Sequence, residues 1–544
     1  MKKIVSFTLS EKRFYLLIVT LATLYGYLLF KNLGHYCFWD DEANTVIFSK
    51  NLLHYGKLTA FDGRNVIAYG NGSELNSDLI NTVIPPLQYY VAAVSIGILG
   101  DTNFAARFPF ALMGFLCFFL FLVINIELTQ KRGLILINLL IFSTNIGFIL
   151  FMRQCRYYAP TTIFFLLNIY LLIRYFKHNK LGYLIAYTLS STLLFLTQYN
   201  SALAILSTLA LVYFYFKKWN FKEKPVSYFS AANLLIIVFI GFYFYYRNPF
   251  NTIALFPKNG LKIGYKFLTL YRFFISFDIQ TFISYPLIIA FLISNKAVLG
   301  KNKLTKGMKQ IGLFLLISII VSSLFAVKAS TRYISHLAPL AFALQGYILY
   351  QIWHWPIKHS GKIASITLAL LLFTSSLYVS AGKKIAIPKN SEPVFSHFAS
   401  YLKEIHSNYP STYSTLVNYF KSKEEKDKII LVYPSYMAYP LMRYLGNQYL
   451  FTNQINVDAK INSKIPVYTY NNLTEPDFIV ISNPDYLENK DKILDQHQSG
   501  YLLDSCINFY CTDVTRPEYK KRSFKVIDHF NHTKESIFIF RKLQ

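Results

Sequence analysis

The chain has 544 residues, of which 53% are hydrophobic and 18% aromatic, and its 55 Lys and Arg against 28 Asp and Glu give a formal charge of +27. A mean hydropathy of +0.32 is more than a soluble domain needs to fill its core, so most of the chain is expected to lie in lipid. The basic residues stand in short clusters between apolar runs, as the positive-inside rule predicts, and this placement argues against nucleic-acid binding.

The first apolar run, residues 14–30, follows four basic residues and could start a signal peptide. No small-residue cleavage site follows it, so an uncleaved first helix is expected. Further apolar runs lie at 108–127, 134–151, 161–173, 181–196, 202–216, 229–246, 281–293, 311–327, 337–353 and 363–380. They predict an α-helical polytopic membrane protein with about eleven transmembrane helices and outer juxtamembrane helices.

The first outer loop, within residues 31–107, begins with the sequence CFWDDEANTVIFSKNLLHYGKL. Asp40, Asp41 and Glu42 precede apolar residues at helical spacing, which predicts a short helix lying on the membrane with its acidic end at the interface. An alternative is helix capping, because acidic residues favour the first turn without any further function.

A twelfth apolar stretch, residues 85–100, opens with two prolines and is short for a hydrocarbon core of about 30 Å. If it does not span, the basic clusters that follow share the side of the basic N-terminus, which the positive-inside rule makes cytoplasmic. If it does span, all of them face outward. We therefore predict that residues 85–100 form an interfacial or re-entrant helix. The protein is expected in the plasma (inner) membrane with its N-terminus in the cytoplasm.

With this topology, several basic residues fall on the outer face with the acidic motif. They are Arg107, Arg153, Arg156 and Arg332, the last followed by Tyr333. Each alone could contact lipid headgroups, but a pair of arginines on the side disfavoured for basic residues calls for an anionic partner such as a phosphate. His336 lies nearby, without a second ligand at metal spacing, and a simple polar role is expected of it.

The tail changes composition at about residue 383 and predicts a small extracytoplasmic α/β domain over 383–544, separate from a membrane domain over 1–382. Strand-like runs lie at 428–433, 477–482, 524–527 and 536–540, and helix-like segments lie at 393–405 and 436–445. The tail contains no phosphate-binding or metalloprotease motif, so it is assigned no chemistry. Cys506 and Cys511 are close enough in sequence for a disulfide in an oxidising compartment.

These motifs resemble those of the C-type membrane glycosyltransferases, in particular the bacterial group of the lipid A aminoarabinose transferase and relatives of the protein O-mannosyltransferases. The matching pieces are WDDEANTVIFSKNLLHYGKL, IPPLQYYVAAVSIGILGDTNFAARFPFALMG, RQCRYYAP and STRYISHLAPLA. Two positions depart from the pattern: Ile84 stands where a basic residue or His often precedes Pro-Pro, and Asn44 where Arg often follows the acidic pair. The departures leave the donor and the acceptor open.

The resemblance implies transfer of a sugar from a polyprenyl-phosphate carrier to an extracytoplasmic acceptor, which could be a lipid, a protein or a glycan, with inversion at the anomeric carbon. It implies Asp41 as the base, Glu42 as a residue that positions the acceptor or the base, and the four arginines as stabilisers of the departing phosphate. Asp40 and Tyr333 are further candidate substrate contacts. No cofactor is identified, and a divalent metal beside the three carboxylates is left open.

Two other classes compete with this interpretation. A transporter or flippase of a lipid-linked anion would also place arginines near the membrane, but it would be expected to show broken or charged helices at mid-membrane and matching halves. A non-catalytic scaffold would use the outer domain to bind a partner.

Overall fold

The computed structural model describes residues 11–68, 72, 74–217, 223–247, 264, 266–270, 273, 303–325, 331–353, 401–402, 405–406, 411–452, 465–469, 474–482, 489–497, 500–510 and 534–543. The predicted spans at 281–293 and 363–380, the predicted strand at 524–527, most of the predicted helix at 393–405 and the predicted boundary between residues 382 and 383 lie outside these ranges.

Helices follow the apolar runs in chain order, because a backbone in lipid must satisfy its own hydrogen bonds. They are α1 (Glu11–Phe30), α2 (Asp40–Tyr55), α3 (Leu87–Leu99), α4 (Asn103–Leu128), α5 (Arg132–Thr144), α6 (Ile146–Met152), α7 (Tyr158–His178), α8 (Leu181–Thr197), α9 (Tyr199–Lys217), α10 (Lys224–Arg247), α11 (Lys303–Phe325) and α12 (Ala338–Trp353). In the described part of the chain, α1, α4, α7 and α10 are each long and apolar enough to cross a membrane, and the bent pair α5–α6 would be a fifth span. An integral membrane protein is thus supported, while the number of about eleven spans stays a prediction.

Ion pairs at one end of the helices show which ends lie on the same side. Arg132, at the start of α5, lies 4.0 Å from Glu11 at the start of α1. Glu127, near the end of α4, binds Arg174 and Lys177 near the end of α7 at 2.6 and 2.8 Å. The start of α1, the α4–α5 turn and the end of α7 therefore lie at the same end of the helices.

At the other end, Asn103 at the start of α4 donates a hydrogen bond to the carbonyl of Tyr36, which follows α1. Helices α1 and α4 are therefore antiparallel neighbours. The chain between them, with α2 and α3, returns to the end at which it left α1. The relative topology thus agrees with the prediction that residues 85–100 do not cross the membrane.

Helix α3 itself has a length that fits this topology. Its 13 residues span about 20 Å at 1.5 Å per residue, against about 30 Å of hydrocarbon. It packs against α4 through a hydrogen bond from Ser95 Oγ to the carbonyl of Ala105. Its other side carries a stripe of exposed apolar side chains, Tyr90, Val94 and Ile98.

The predicted span at 134–151 is broken in the structure. Asn145 adopts an extended conformation between α5 and α6, and its side chain accepts a hydrogen bond from Phe148 N as the N-cap of α6. The two helices meet at 63°. The bend was not predicted from the apolar run, and it arises because a capping residue inside the run starts a new helix.

A close helix contact joins α5, α4 and α12. Asn138 on α5 donates a 2.6 Å hydrogen bond to Asn125 on α4, and both side chains are buried. On α12, Gly346 faces Asn138 so closely that a Cβ at position 346 would lie 1.8 Å from Asn138 Oδ1. Small residues allow such approaches between membrane helices, so this contact depends on glycine at 346.

The C-terminal unit contains a five-stranded sheet of order β2-β1-β3-β5-β4. Its elements are α13 (Thr412–Ser422), β1 (Ile429–Tyr433), α14 (Ala438–Leu445), β2 (Leu450–Thr452), β3 (Phe478–Ile481), α15 (Lys490–Leu494), β4 (Tyr501–Tyr510) and β5 (Lys534–Lys542). Strand β1 runs parallel to β2 and β3, whereas β5 pairs antiparallel with β3 and β4. The predicted strands at 428–433, 477–482 and 536–540 and the helix at 436–445 are confirmed, with small shifts of their bounds.

Cys506 lies in the extended strand β4. The other cysteine of the predicted disulfide, Cys511, lies outside the described residues, so the disulfide stays a prediction.

The first outer loop is fastened to the C-terminal unit. The side chain of Asn65, which is buried, donates to the carbonyls of Gly446 and Tyr449 and accepts from the backbone N–H of Phe451. Arg64 adds an ion pair to Asp427 at 2.5 Å. The C-terminal unit therefore lies directly on the loop that carries the acidic motif.

Candidate active site

The acidic motif forms the first turn of α2, where the helix dipole favours negative charge. Helix α2 ends at Gly56, which takes the left-handed conformation that closes helices. The predicted helix is present, but it does not lie on the membrane with one face exposed. Residues 40–49 are almost entirely buried, because α3 packs along one side of α2 and α14 along another.

Glu42 is bound on both oxygens by one arginine of α4. Arg107 Nε donates to Glu42 Oε1 at 2.8 Å, and Arg107 Nη2 donates to Oε2 at 2.6 Å. Glu42 Oε1 also accepts from the backbone N–H of Cys155 at 2.9 Å. The Glu42 side chain is wholly buried and that of Arg107 is 4% exposed. This is a bidentate ion pair sealed inside the protein.

Arg107 has no donor to spare for a substrate. Besides the two hydrogen bonds to Glu42, its Nη1 donates to the carbonyls of Leu33 and Tyr36, and its Nη2 donates to that of Cys37. These contacts account for all five N–H groups of a guanidinium. These contacts do not fit the expectation that Arg107 binds a phosphate, and through them Arg107 joins the end of α1 to the start of α2.

Asp41 faces two other arginines, which arrive from distant parts of the chain. Its Oδ2 lies 2.8 Å from Arg332 Nη1 and 3.4 Å from Arg156 Nη2. Arg156 Nη1 also donates to the backbone carbonyl of Asp41 and to Thr45 Oγ1. The Asp41 side chain is 12% exposed and that of Arg332 is 22% exposed, so this group reaches the surface, unlike the Glu42 pair.

Aromatic rings support these two arginines. The Arg156 guanidinium lies 5.4 Å from the Tyr157 ring centroid, and that of Arg332 lies 5.6 Å from the Tyr333 ring centroid. The carbonyl of Tyr333 accepts a hydrogen bond from Ser201 Oγ on α9. Burial raises the pKa of Tyr157, and neighbouring tyrosines add to this effect while the charges of Arg332 and Arg156 oppose it. Tyr157 therefore remains a neutral phenol beside the two cations.

Arg153 lies elsewhere. Its Nη1 donates to the carbonyls of Leu28 and Lys31 at the end of α1, at 2.7 and 2.9 Å. Its guanidinium lies 5.7 Å from the Tyr401 ring centroid. A cation at the carbonyl end of a helix is favourable by itself, so these contacts give Arg153 a structural task away from Asp41.

Asp40 is buried beside a tyrosine of the C-terminal unit that the sequence did not single out. Burial, followed by the negative charges of Glu74, Asp40 and Asp41, raises the pKa of Tyr439. The Tyr439 hydroxyl donates to the backbone carbonyl of Ala68 in the outer loop. A third buried carboxylate, Glu74, thus shares the neighbourhood of the acidic motif.

His336 lies in a short 3-10 turn, Ser335–Leu337, with its ring 5.1 Å from that of Phe165. Burial lowers its pKa to about 3, so it stays neutral. A buried, neutral His336 agrees with the simple polar role expected from the sequence.

A divalent metal does not fit the carboxylates as they are arranged. Both Glu42 oxygens face Arg107, and Asp41 faces two further guanidinium groups, so the charge that a cation would need is already neutralised. Within the described ranges, no group of three or more His, Cys, Asp or Glu side chains could hold a metal ion.

The structure therefore brings together Asp41, Arg156 and Arg332 in one partly open group, with Asp40 and Tyr333 beside it. It separates Arg107 and Arg153, which bind backbone carbonyls. Tyr439 and Glu74 were missed, since their place depends on how the C-terminal unit docks and no local motif marks them. A carboxylate held next to two guanidinium groups can accept a proton from a nucleophile while the cations bind an anion.

Part of the chain matches a known family model. Residues 83–245 match the family model described as dolichyl-phosphate-mannose-protein mannosyltransferase, a stretch that includes α3, Arg107, Arg153 and Arg156. None of the curated proteins matches the sequence.

Solved structures resemble the whole chain. The apo structure of ArnT from Cupriavidus metallidurans aligns with a TM-score of 0.54 and 12% identity, covering 97% of this chain and 98% of that one. The same protein bound to undecaprenyl phosphate aligns with a TM-score of 0.50 and 13% identity over the same shares. At these identities the likeness is one of fold.

Proposed function

We propose that this chain is a C-type membrane glycosyltransferase that moves a sugar from a polyprenyl-phosphate carrier to an acceptor on the outer face of the membrane, with Asp41 as the base; the partial family match and the shared fold support this. The observation that carries the proposal is the group of Asp41, Arg156 and Arg332, in which one carboxylate meets two cations from separate segments.

The reaction needs few groups from the protein. The nucleophilic atom of the acceptor attacks the anomeric carbon on the face opposite the phosphate, and its proton passes to Asp41. The bond between the anomeric carbon and the phosphate oxygen breaks, and the electron pair leaves with the polyprenyl phosphate. A phosphate leaves without protonation, so one base suffices where a glycosidase needs an acid as well. The single displacement inverts the anomeric centre.

The two arginines serve the leaving group. Guanidinium groups match phosphate oxygens in charge and geometry, and charge that grows on the phosphate is stabilised by cations already fixed in place. Arg156 and Arg332 are fixed by Thr45, by the Asp41 carbonyl and by their tyrosine neighbours. We assign the phosphate contact to these two residues and assign Tyr333 and Asp40 to the sugar or the acceptor.

Glu42 and Arg107 act through Asp41 and not on the substrate. Their buried pair fixes the first turn of α2 against α4, and Asp41 is the neighbour of Glu42. Glu42 therefore positions the base, which is one of the two roles expected of it. The proposal takes the orientation that the basic clusters favour, with the opposite ends of the helices in the cytoplasm and the site outside.

The test is transfer by purified protein in detergent, with a radiolabelled polyprenyl-phosphate sugar as the donor and a lipid extract as the source of acceptor. Asp41→Asn should lower turnover by about 10²–10⁴-fold, the usual contribution of a general base, and leave the melting temperature near that of the wild type. Asp78→Asn, an exposed carboxylate on the same loop, is the matched control and should turn over normally.

Full turnover by Asp41→Asn would remove Asp41 from the mechanism. Because detergent abolishes any transmembrane gradient, a flippase without transferase activity would form no product, and a wild type that forms none with any donor offered would refute the proposed function.

A further inference from the structure

The start of the acidic helix is held by a side chain of the C-terminal unit. Tyr444, near the end of α14, accepts a 2.9 Å hydrogen bond from the backbone N–H of Phe38 and donates a 2.9 Å hydrogen bond to Asn103 Oδ1. Phe38 lies three residues before Asp41, and Asn103 is the first residue of α4. One hydroxyl therefore joins the segment that leads into α2 to the helix that carries Arg107.

The ring of Tyr444 continues this connection. It stacks on the Phe38 ring, with centroids 6.2 Å apart and planes at 17°. The Phe38 ring also contacts the Arg107 guanidinium, which lies 4.8 Å from its centroid. Arg107 in turn binds both oxygens of Glu42. A continuous series of contacts thus runs from the C-terminal unit to the residue beside Asp41.

Neighbouring contacts fix α14 itself. Arg443 pairs with Asp101 at 2.5 Å, and Asp101 pairs with Lys50 of α2 at 2.8 Å. Helix α14 is therefore attached both to α2 and to the turn before α4. Burial raises the pKa of Tyr444, so its hydroxyl keeps the proton that it donates to Asn103.

We propose that Tyr444 is a positioning residue for the transfer reaction, through which the C-terminal unit sets the orientation of Phe38 and thereby of Asp41. This inference rests on the proposed function. It gives the C-terminal unit a task in the reaction, although that unit was assigned no chemistry from its sequence.

The test compares two tyrosines of the same unit that each lose one hydroxyl. Tyr444→Phe removes the bridge between Phe38 and Asn103. Tyr449→Phe removes a buried hydrogen bond to the carbonyl of Phe420, which is internal to the C-terminal unit. Both variants should melt at similar temperatures. Only Tyr444→Phe should lower kcat, by about tenfold, with KM for the donor within twofold of the wild type.

A second measurement separates positioning from general weakening. Asn103→Ala removes the acceptor of the Tyr444 hydroxyl and also the hydrogen bond to the Tyr36 carbonyl. Because the two residues share one hydrogen bond, the kcat loss in the Tyr444→Phe, Asn103→Ala double variant should be smaller than the product of the two single losses. A loss of kcat in the double variant equal to the product of the two single losses would overturn the proposal. Equal kcat values for Tyr444→Phe and Tyr449→Phe, or a change confined to KM, would also overturn it. Absence of transfer by the wild type would instead refute the proposed function itself.

Discussion

Because Glu42 forms a buried ion pair with Arg107, we expect substitutions of Glu42 and of its neighbour Asp41 to have different effects. In Glu42→Gln the side chain keeps its shape but loses its charge, and an amide N–H₂ replaces one of the oxygens that receive Arg107 donors. The Arg107 charge is then left buried and unpaired. Breaking a buried ion pair from one side costs about 3–5 kcal/mol, which is a large share of a typical total stability of about 5–15 kcal/mol.

The assay is thermal unfolding of the purified protein in one detergent, followed by circular dichroism. At about 2 °C per kcal/mol, the low end expected for a large domain, Glu42→Gln should melt about 6–10 °C below the wild type. Asp41→Asn is the matched comparison, since it makes the same chemical change one residue away at a site that reaches the surface. It should melt close to the wild type while losing turnover. The reasoning fails if Glu42→Gln melts within about 1 °C of the wild type, or if both variants melt equally low.

Two further predictions concern the arginines and the helix packing. Arg332→Ala should lower kcat/KM for the donor by about 10²-fold, the usual loss when one preorganised donor to a developing anion is removed. Arg64→Ala breaks an exposed ion pair to Asp427 and should not lower it; equal steady-state kinetics for the two variants would count against a phosphate contact. Gly346→Ala should destabilise the protein by about 1–3 kcal/mol, because its Cβ would lie 1.8 Å from Asn138 Oδ1, whereas Gly312→Ala, whose Cβ would be 3.9 Å from Leu344, should be tolerated. Melting curves of the two glycine variants decide this, and similar curves would show that α12 shifts without cost.

The positions of helices could be predicted from the sequence where an apolar run alone determines that the chain is helical. The runs at 14–30, 108–127 and 161–173 correspond to α1, α4 and α7, because lipid leaves the backbone no alternative. The break at Asn145 was missed, since a single polar residue inside an apolar run does not show whether it will cap a new helix. Strand β4 was missed because its exposed leucines and the irregularity between Leu503 and Ser505 obscure the alternation of a strand.

The candidate site was only partly predictable, because its geometry depends on contacts between distant segments. Asp41 and Arg332 are separated by 291 positions, and only their shared placement on the outer face suggested that they could meet. Arg107 and Arg156 are the same residue type on the same face. What distinguishes them is that Arg107 lies among backbone carbonyls at the end of α1, which a sequence motif does not reveal.

The attachment of the outer loop through Asn65 has a consequence for biosynthesis. Asn65 makes its contacts with residues near 450, so its binding site is translated some 380 positions later. At about 5–20 residues per second, a ribosome needs on the order of 20–80 s to reach that point. During this interval the loop is without its final support, and the acidic helix lacks its cover from α14. The nascent chain therefore acquires the geometry of the candidate site only near the end of its synthesis, and a prematurely terminated product would lack these contacts.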